Sequence, residues 1–162
     1  MGEVRLIAYN STEYRQMVQL RDKLLRAPLG LDFSIAYLRR ERFDTLIGYF
    51  EAGKHGEKDF LVGYCMLSRC RDKTMLQLRQ MAVSEEFQGR GIGTRLLMFT
   101  EDKARKSGFY TLMMHARITA VKFYERLGYE TCGPVFLEVG LPHREMRKNL
   151  QDKKQVKTAP RL

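Results

Sequence analysis

The period of the apolar positions changes repeatedly along the chain, and each change marks an element. A strand is predicted over 4–9. Tyr14, Val18 and Leu25, with Met17, Leu20 and Leu24, then recur at helical spacing. They predict a helix over 11–26, capped by Ser11, carrying Glu13 in its first turn and ended by Pro28. The loop 29–33 mixes apolar and charged groups, which suits either the wall of a ligand site or a plain connection. Ser34 opens a short helix through Arg40. Strands follow over 45–51 and 60–67, joined by a two-glycine turn at 52–58. The second is almost continuously apolar, as expected of a strand buried on both faces. A turn at 71–73 leads to a strand over 75–83. A longer helix carries Ile92, Leu96 and Phe99 beside Leu97, Thr100 and Ala104. Gly108 closes it, with Lys103, Arg105 and Lys106 complementing its dipole. A strand over 110–116, a helix over 119–127 ended by Gly128, and a hairpin-like pair over 130–140 and 143–150 complete the pattern.

Strand 75–83 breaks its own alternation. Leu76 and Leu78 are apolar on even positions and Met81 and Val83 on odd ones, although Met75 is already odd. A strict period of two cannot bury both sets on one face. A β-bulge near residues 79–81 absorbs the slip and frees a backbone N–H.

Between this strand and the long helix stands Gln88-Gly89-Arg90-Gly91-Ile92-Gly93. Alternate glycines tolerate unusual backbone angles. The first N–H groups of a helix lack internal partners, so with the helix dipole they receive anionic oxygens, phosphate above all. A nucleotide-hydrolase loop needs a lysine after the glycines, and none follows. A dinucleotide fold needs a different glycine spacing directly after a strand.

Composition narrows the field further. The 162 residues suit one domain over 1–150, with 151–162 as a basic solvated tail of four basic residues against one acidic. No apolar run approaches the ~20 residues that cross a bilayer, and the N-terminus lacks a signal-peptide form, so no membrane role is expected. Cys65, Cys70 and Cys132 form neither a C-x-x-C nor a metal pattern; they read as small thiols in a reducing compartment, by default the cytoplasm. The net charge of +10 is interleaved with acids rather than striped, so no nucleic-acid partner is expected. A positive field does attract polyanions.

The pattern Gln88-x-x-Gly91-x-Gly93 resembles the acetyl-CoA pyrophosphate loop of the GNAT N-acetyltransferases. About 30 residues on, Ala120-Val-Lys-Phe-Tyr124-Glu-Arg-Leu127-Gly128-Tyr129 is similar to that family's A-x-x-F-Y-x-x-L-G-F segment. The resemblance runs from about residue 5 to residue 150. Its ends are similar to a small bacterial-type subgroup with poorly defined acceptors.

The resemblance implies an α/β (α+β) fold: a mixed, mostly antiparallel sheet of six to seven strands, splayed around acetyl-CoA and flanked by about four helices. It implies acetyl transfer from acetyl-CoA, without a metal, to a primary amine by direct attack in a ternary complex. Backbone groups of Gln88, Gly89, Arg90, Gly91, Ile92, Gly93 and Thr94 would take the pyrophosphate. Met81 and Val83 would pair with the pantetheine arm, and the N–H of Met81 or Ala82 would face the thioester carbonyl. Arg90 and Arg95 either meet the remaining phosphate charge or are solvated surface groups. Tyr124 matches the general acid that protonates the thiolate; the other reading is a core tyrosine. The group that deprotonates the amine is left open among His115, Glu138, His143 and a water chain. Arg117 stands where many members carry an asparagine that holds the cofactor. Acceptor specificity would sit around 29–33 and 140–143, and the acceptor is a small-molecule or protein amine. A homodimer is among the assemblies the family uses. The competing reading is a non-catalytic acyl-CoA-binding or regulatory module on the same fold.

Overall fold

The computed structural model describes residues 2–30 and 34–151. Most of the expected acceptor loop 29–33, and the tail beyond residue 151, therefore lie outside the described residues. The strands are β1 (Glu3–Ile7), β2 (Thr45–Glu51), β3 (Phe60–Arg69), β4 (Met75–Val83), β5 (Thr111–Arg117), β6 (Glu130–Glu138) and β7 (Leu141–Asn149). The α-helices are α1 (Thr12–Arg21), α2 (Ile35–Arg40), α3 (Ile92–Lys106) and α4 (Val121–Arg126). One seven-stranded sheet runs in the order β1-β2-β3-β4-β5-β7-β6. Pairings β1–β2, β2–β3, β5–β7 and β6–β7 are antiparallel. This is the expected mostly antiparallel α/β architecture. Among the described residues no helix is long and apolar enough to cross a membrane.

The chain forms two compact units. The first comprises Met1–Ser68 and Leu78–Thr100. Its middle strands are unbroken buried runs, Leu46 to Phe50 on β2 and Val62 to Ser68 on β3. Tyr14 and Met17 of α1 pack on Ile7, Leu46, Phe50, Tyr64 and Met66. Ser11 caps α1 as expected, accepting from the Tyr14 N–H at 3.0 Å. The expected helix to residue 26 is α-helical only to Arg21. A π-helical turn, Asp22–Arg26, follows, with the Ala27 N–H donating to the Asp22 carbonyl, and then a 3-10 turn, Ala27–Leu29. Pro28 has no N–H to close an α-turn on Leu24. Apolar spacing could not reveal the change, because Leu24 and Leu25 fit either winding.

The helical run delivers Arg21 into the core at 0% exposure, where it meets Glu41 at 2.6 Å, off the hydrogen-bond axis. Tyr14 also donates to Glu41, at 2.9 Å. Desolvated charges persist when paired in this way. The expected irregularity in β4 is Gln80, which holds φ at 55° after the buried Leu76 and Leu78. A second irregularity, a register shift at Tyr49/Phe50 between β2 and β3, has no counterpart in the apolar pattern.

The second unit comprises Arg69–Gln77 and Glu101–Leu162. Leu112, Met114 and Ala116 alternate inward along β5, which pairs with β7 from Thr111↔Asn149 to Arg117↔His143. β7 also pairs with β6, so it lies between β5 and β6. The hairpin turn is Val139–Gly140, with both φ positive (45° and 75°), the sign pattern of a type I′ turn. Gly108 closes α3 at φ 87°: its N–H donates to Arg105 and that of Phe109 to Ala104. The helix expected over 119–127 is α-helical only over Val121–Arg126, preceded by a 3-10 turn, Ile118–Ala120. Buried Glu101 accepts from Tyr129 at 2.9 Å and from Lys148 at 3.0 and 3.1 Å.

Candidate functional site

The strand-to-helix connection in the first unit is built from short local bonds. The Ser84 N–H donates to the Val62 carbonyl, and the 3-10 turn Glu85–Phe87 closes through Phe87 to Ser84 and Gln88 to Glu85. The Gln88 side chain donates back to the Val83 carbonyl at 2.9 Å. Gly89 and Gly91 then adopt φ of 74° and 77°. A Cβ at either would meet nothing within 4 Å, so it is the backbone conformation, not crowding, that calls for glycine.

The Arg95 N–H donates to the Gly91 carbonyl, which makes Gly91 the N-cap of α3. A glycine cap brings no side-chain oxygen to the N–H groups of Ile92, Gly93 and Thr94, which therefore suit an external anion. Arg90 lies over Phe87, 4.9 Å from the ring centroid, and donates to the Glu86 carbonyl. Arg95 has structural partners, the Tyr49 hydroxyl at 2.9 Å and the Gly2 carbonyl at 3.1 Å. Beside this connection is a cleft of about 360 Å³ lined by Lys23, Leu24 and residues 60–62 and 84–87.

Met81, Ala82 and Val83 lie half-buried just past the Gln80 kink. Gly63 of β3 is a contributor that the sequence did not single out. A Cβ there would stand 3.2 Å from Leu96 and 3.3 Å from the Ala82 carbonyl, so glycine lets α3 and β4 approach β3 closely. An isolated glycine inside an apolar strand was the available signal. At the kink, Arg79 donates to the Tyr37 hydroxyl at 2.8 Å and Gln80 to the same oxygen at 3.3 Å.

The second unit holds the candidate proton-transfer groups. Tyr124 is 8% exposed, with its ring 5.1 Å from Phe123 and 5.8 Å from Tyr129. Its carbonyl accepts from Leu127 and Tyr129, which ends α4. His115, Glu138 and His143, separate candidates in the sequence, form one cluster. His115 Nδ1 is 3.0 Å from Glu138 Oε1, and His143 Nε2 is 3.7 Å from Oε2. Phe136 packs against both imidazoles. A carboxylate only accepts, so His115 Nδ1 carries a proton, and in the neutral imidazole Nε2 is then the accepting nitrogen. The Leu141 carbonyl, 2.8 Å from His143 Nδ1, fixes that ring in the same way. Arg117 pairs in register with His143. Among the described residues no group of three or more His, Cys, Asp or Glu side chains is arranged to hold a metal ion.

Comparison with known proteins gives a consistent result. A model described as an acetyltransferase (GNAT) domain matches residues 33–150. An uncharacterised acetyltransferase of Streptococcus pyogenes serotype M3 is 38% identical over 68 residues, 42% of this chain and 48% of that protein. The matched segment thus spans about half the length of such curated relatives. A provisionally assigned N-acetyltransferase of Lactobacillus plantarum superposes with a TM-score of 0.77 at 19% identity, covering 93% of this chain and 99% of that one. An aminoglycoside 6'-N-acetyltransferase solved with coenzyme A superposes with a TM-score of 0.73 at 15% identity, covering 93% and 98%. At those identities the structural likeness speaks to the fold.

Proposed function

This chain belongs to the acetyltransferase (GNAT) family, and from that premise we propose that it moves an acetyl group from acetyl-CoA to a primary amine by direct attack in a ternary complex. The observation that carries the reading is the glycine-capped start of α3, where three consecutive backbone N–H groups are left to an anion. The donor supplies an activated thioester, so the chain needs no nucleophile of its own. Residues 88–94 bind the pyrophosphate, and Met81 and Val83 align the pantetheine arm. The Val83 carbonyl keeps one lone pair beyond its bond from Gln88. A backbone N–H past the Gln80 kink, of Met81 or Ala82, donates to the acyl oxygen.

In the transfer a C–S bond breaks and a C–N bond forms, one proton leaves the amine, and one returns to sulfur. Tyr124 gives the proton to sulfur. His115, oriented by Glu138, accepts the amine proton at Nε2. The three free cysteines fit a reducing, cytoplasmic setting. The acceptor is a small-molecule or protein amine.

Calorimetric titration with CoA and thiol-release assays over an amine panel test this reading. The expected result is CoA binding with amine-dependent thiol release. Tyr124→Phe should lower turnover about 100-fold or more with the CoA dissociation constant unchanged. CoA binding without thiol release from any amine would replace the enzyme with an acyl-CoA-binding module.

A further inference from the structure

Arg79 stands on β4 immediately before the kinked Gln80 and two positions before Met81. Its side chain is half-buried. Its partners are neutral hydroxyls: Tyr37 at 2.8 Å and Ser68 at a long 3.5 Å. Among the described residues no carboxylate oxygen lies within 4.0 Å of its guanidinium. A second cation converges on the same tyrosine, since the Arg26 guanidinium lies over the Tyr37 ring, 5.4 Å from its centroid.

None of the described acids of this corner contacts Arg79. Glu41 is engaged by Arg21 and Tyr14. Asp44 bonds to Ser68 and reaches Arg79 only through space. Arg79 therefore has more N–H donors than its two contacts use, and the Tyr37 hydroxyl holds it in a fixed orientation. Such a planar fork, partly desolvated and in contact with no carboxylate, is matched by a carboxylate.

From this, and resting on the acetyl-transfer reading above, the geometry points to an acceptor that carries a carboxylate beside its primary amine, with Arg79 as the residue that binds the carboxylate. Met81 is two residues along the chain from Arg79, so their Cα atoms lie at most about 7 Å apart. A molecule of amino-acid size spans that interval, with its amine toward the acyl group and its carboxylate on the guanidinium. A polycationic acceptor would instead meet the like charge of Arg79.

The test uses the full chain and thiol release from acetyl-CoA with matched acceptors: glycine, alanine and glutamine, each against its carboxamide, with spermidine as the polycation. The wild-type protein should favour the carboxylate member of a pair by about 30-fold or more in kcat/KM, the worth of a charge-assisted hydrogen bond. Arg79→Gln should bring that ratio toward one by raising KM for the carboxylate member, and Arg79→Lys should restore part of it. Tyr37→Phe, which removes the hydroxyl contact and keeps the charge, should retain most of the preference. Equal use of the carboxamides, or preference for spermidine, would overturn the inference in the wild-type protein alone, whatever the variants' folding. Arg79→Gln lowering both members of a pair equally would also overturn it, reducing Arg79 to a tie between α2 and β4. Thiol release with no amine at all would instead overturn the acetyl-transfer reading, and this inference with it.

Discussion

Two side chains show how little a residue's type says until its neighbours are known. Cys65 and His115 are both reactive in principle. The Cys65 thiol is fully buried, contacts the Thr100 hydroxyl at 3.2 Å, and is pushed up to about 12 by desolvation. It is inert packing, and in the folded protein thiol reagents should reach Cys70 and Cys132 far sooner. Its folded value lies above the ordinary thiol value of 9.0, so the stability it contributes is complete below pH 9 and is lost as pH rises toward about 12. His115 is partly exposed, and Glu138 directs its ring. If His115 takes the amine proton, His115→Gln should lower kcat/KM about 100-fold near pH 7. The deficit should shrink as pH rises, because the free amine then loses its own proton. A pH profile parallel to that of the wild-type protein would remove His115 from the reaction. Neither residue's surroundings could be read from its local sequence.

At the level of elements, the clearest local signal was the parity change in β4. A strand that moves its apolar set from even to odd positions must break its pleat, and Gln80 at φ 55° is where it does so. The helix caps were equally local, because Ser11 and Ser34 each accept from the N–H three residues ahead. The π-turn after α1 and the shift at Tyr49/Phe50 were not legible. Both depend on what the element packs against rather than on its own period. The β6–β7 turn is itself testable. Val139 is β-branched and holds φ at 45°, a region that L-residues enter at a cost of about 1 kcal/mol or more. Val139→Asn or Val139→Gly should therefore raise the melting temperature by about 2–4 °C. An unchanged or lowered value in both variants would mean that the valine side chain offsets the backbone cost by packing.

For the whole molecule, the +10 net charge acts through the field rather than through any one contact. CoA is a polyanion, so its association rate with the protein should fall about tenfold as salt rises from dilute to about 0.5 M, where screening extends only a few ångströms. Stopped-flow binding at several ionic strengths would measure this. A flat response would confine the electrostatics to the backbone N–H groups at the start of α3.

The amino-acid sequence by itself determined the order of strands and helices, the glycine loop with its anion-binding logic, the kink before Met81, and the two motifs that identify the family. All of these are written within a few residues or in a single period. Tertiary structure alone decided which distant residues became neighbours. The buried Arg21–Glu41 pair, the tie from Arg79 to Tyr37, and the meeting of His115, Glu138 and His143 are of this kind. The last depends on β7 lying between β5 and β6, a consequence of strand order that no local period encodes. Side-chain chemistry is carried by sequence, but the partners that charge or orient a side chain are set by register across the sheet, and register is fixed only when the core packs.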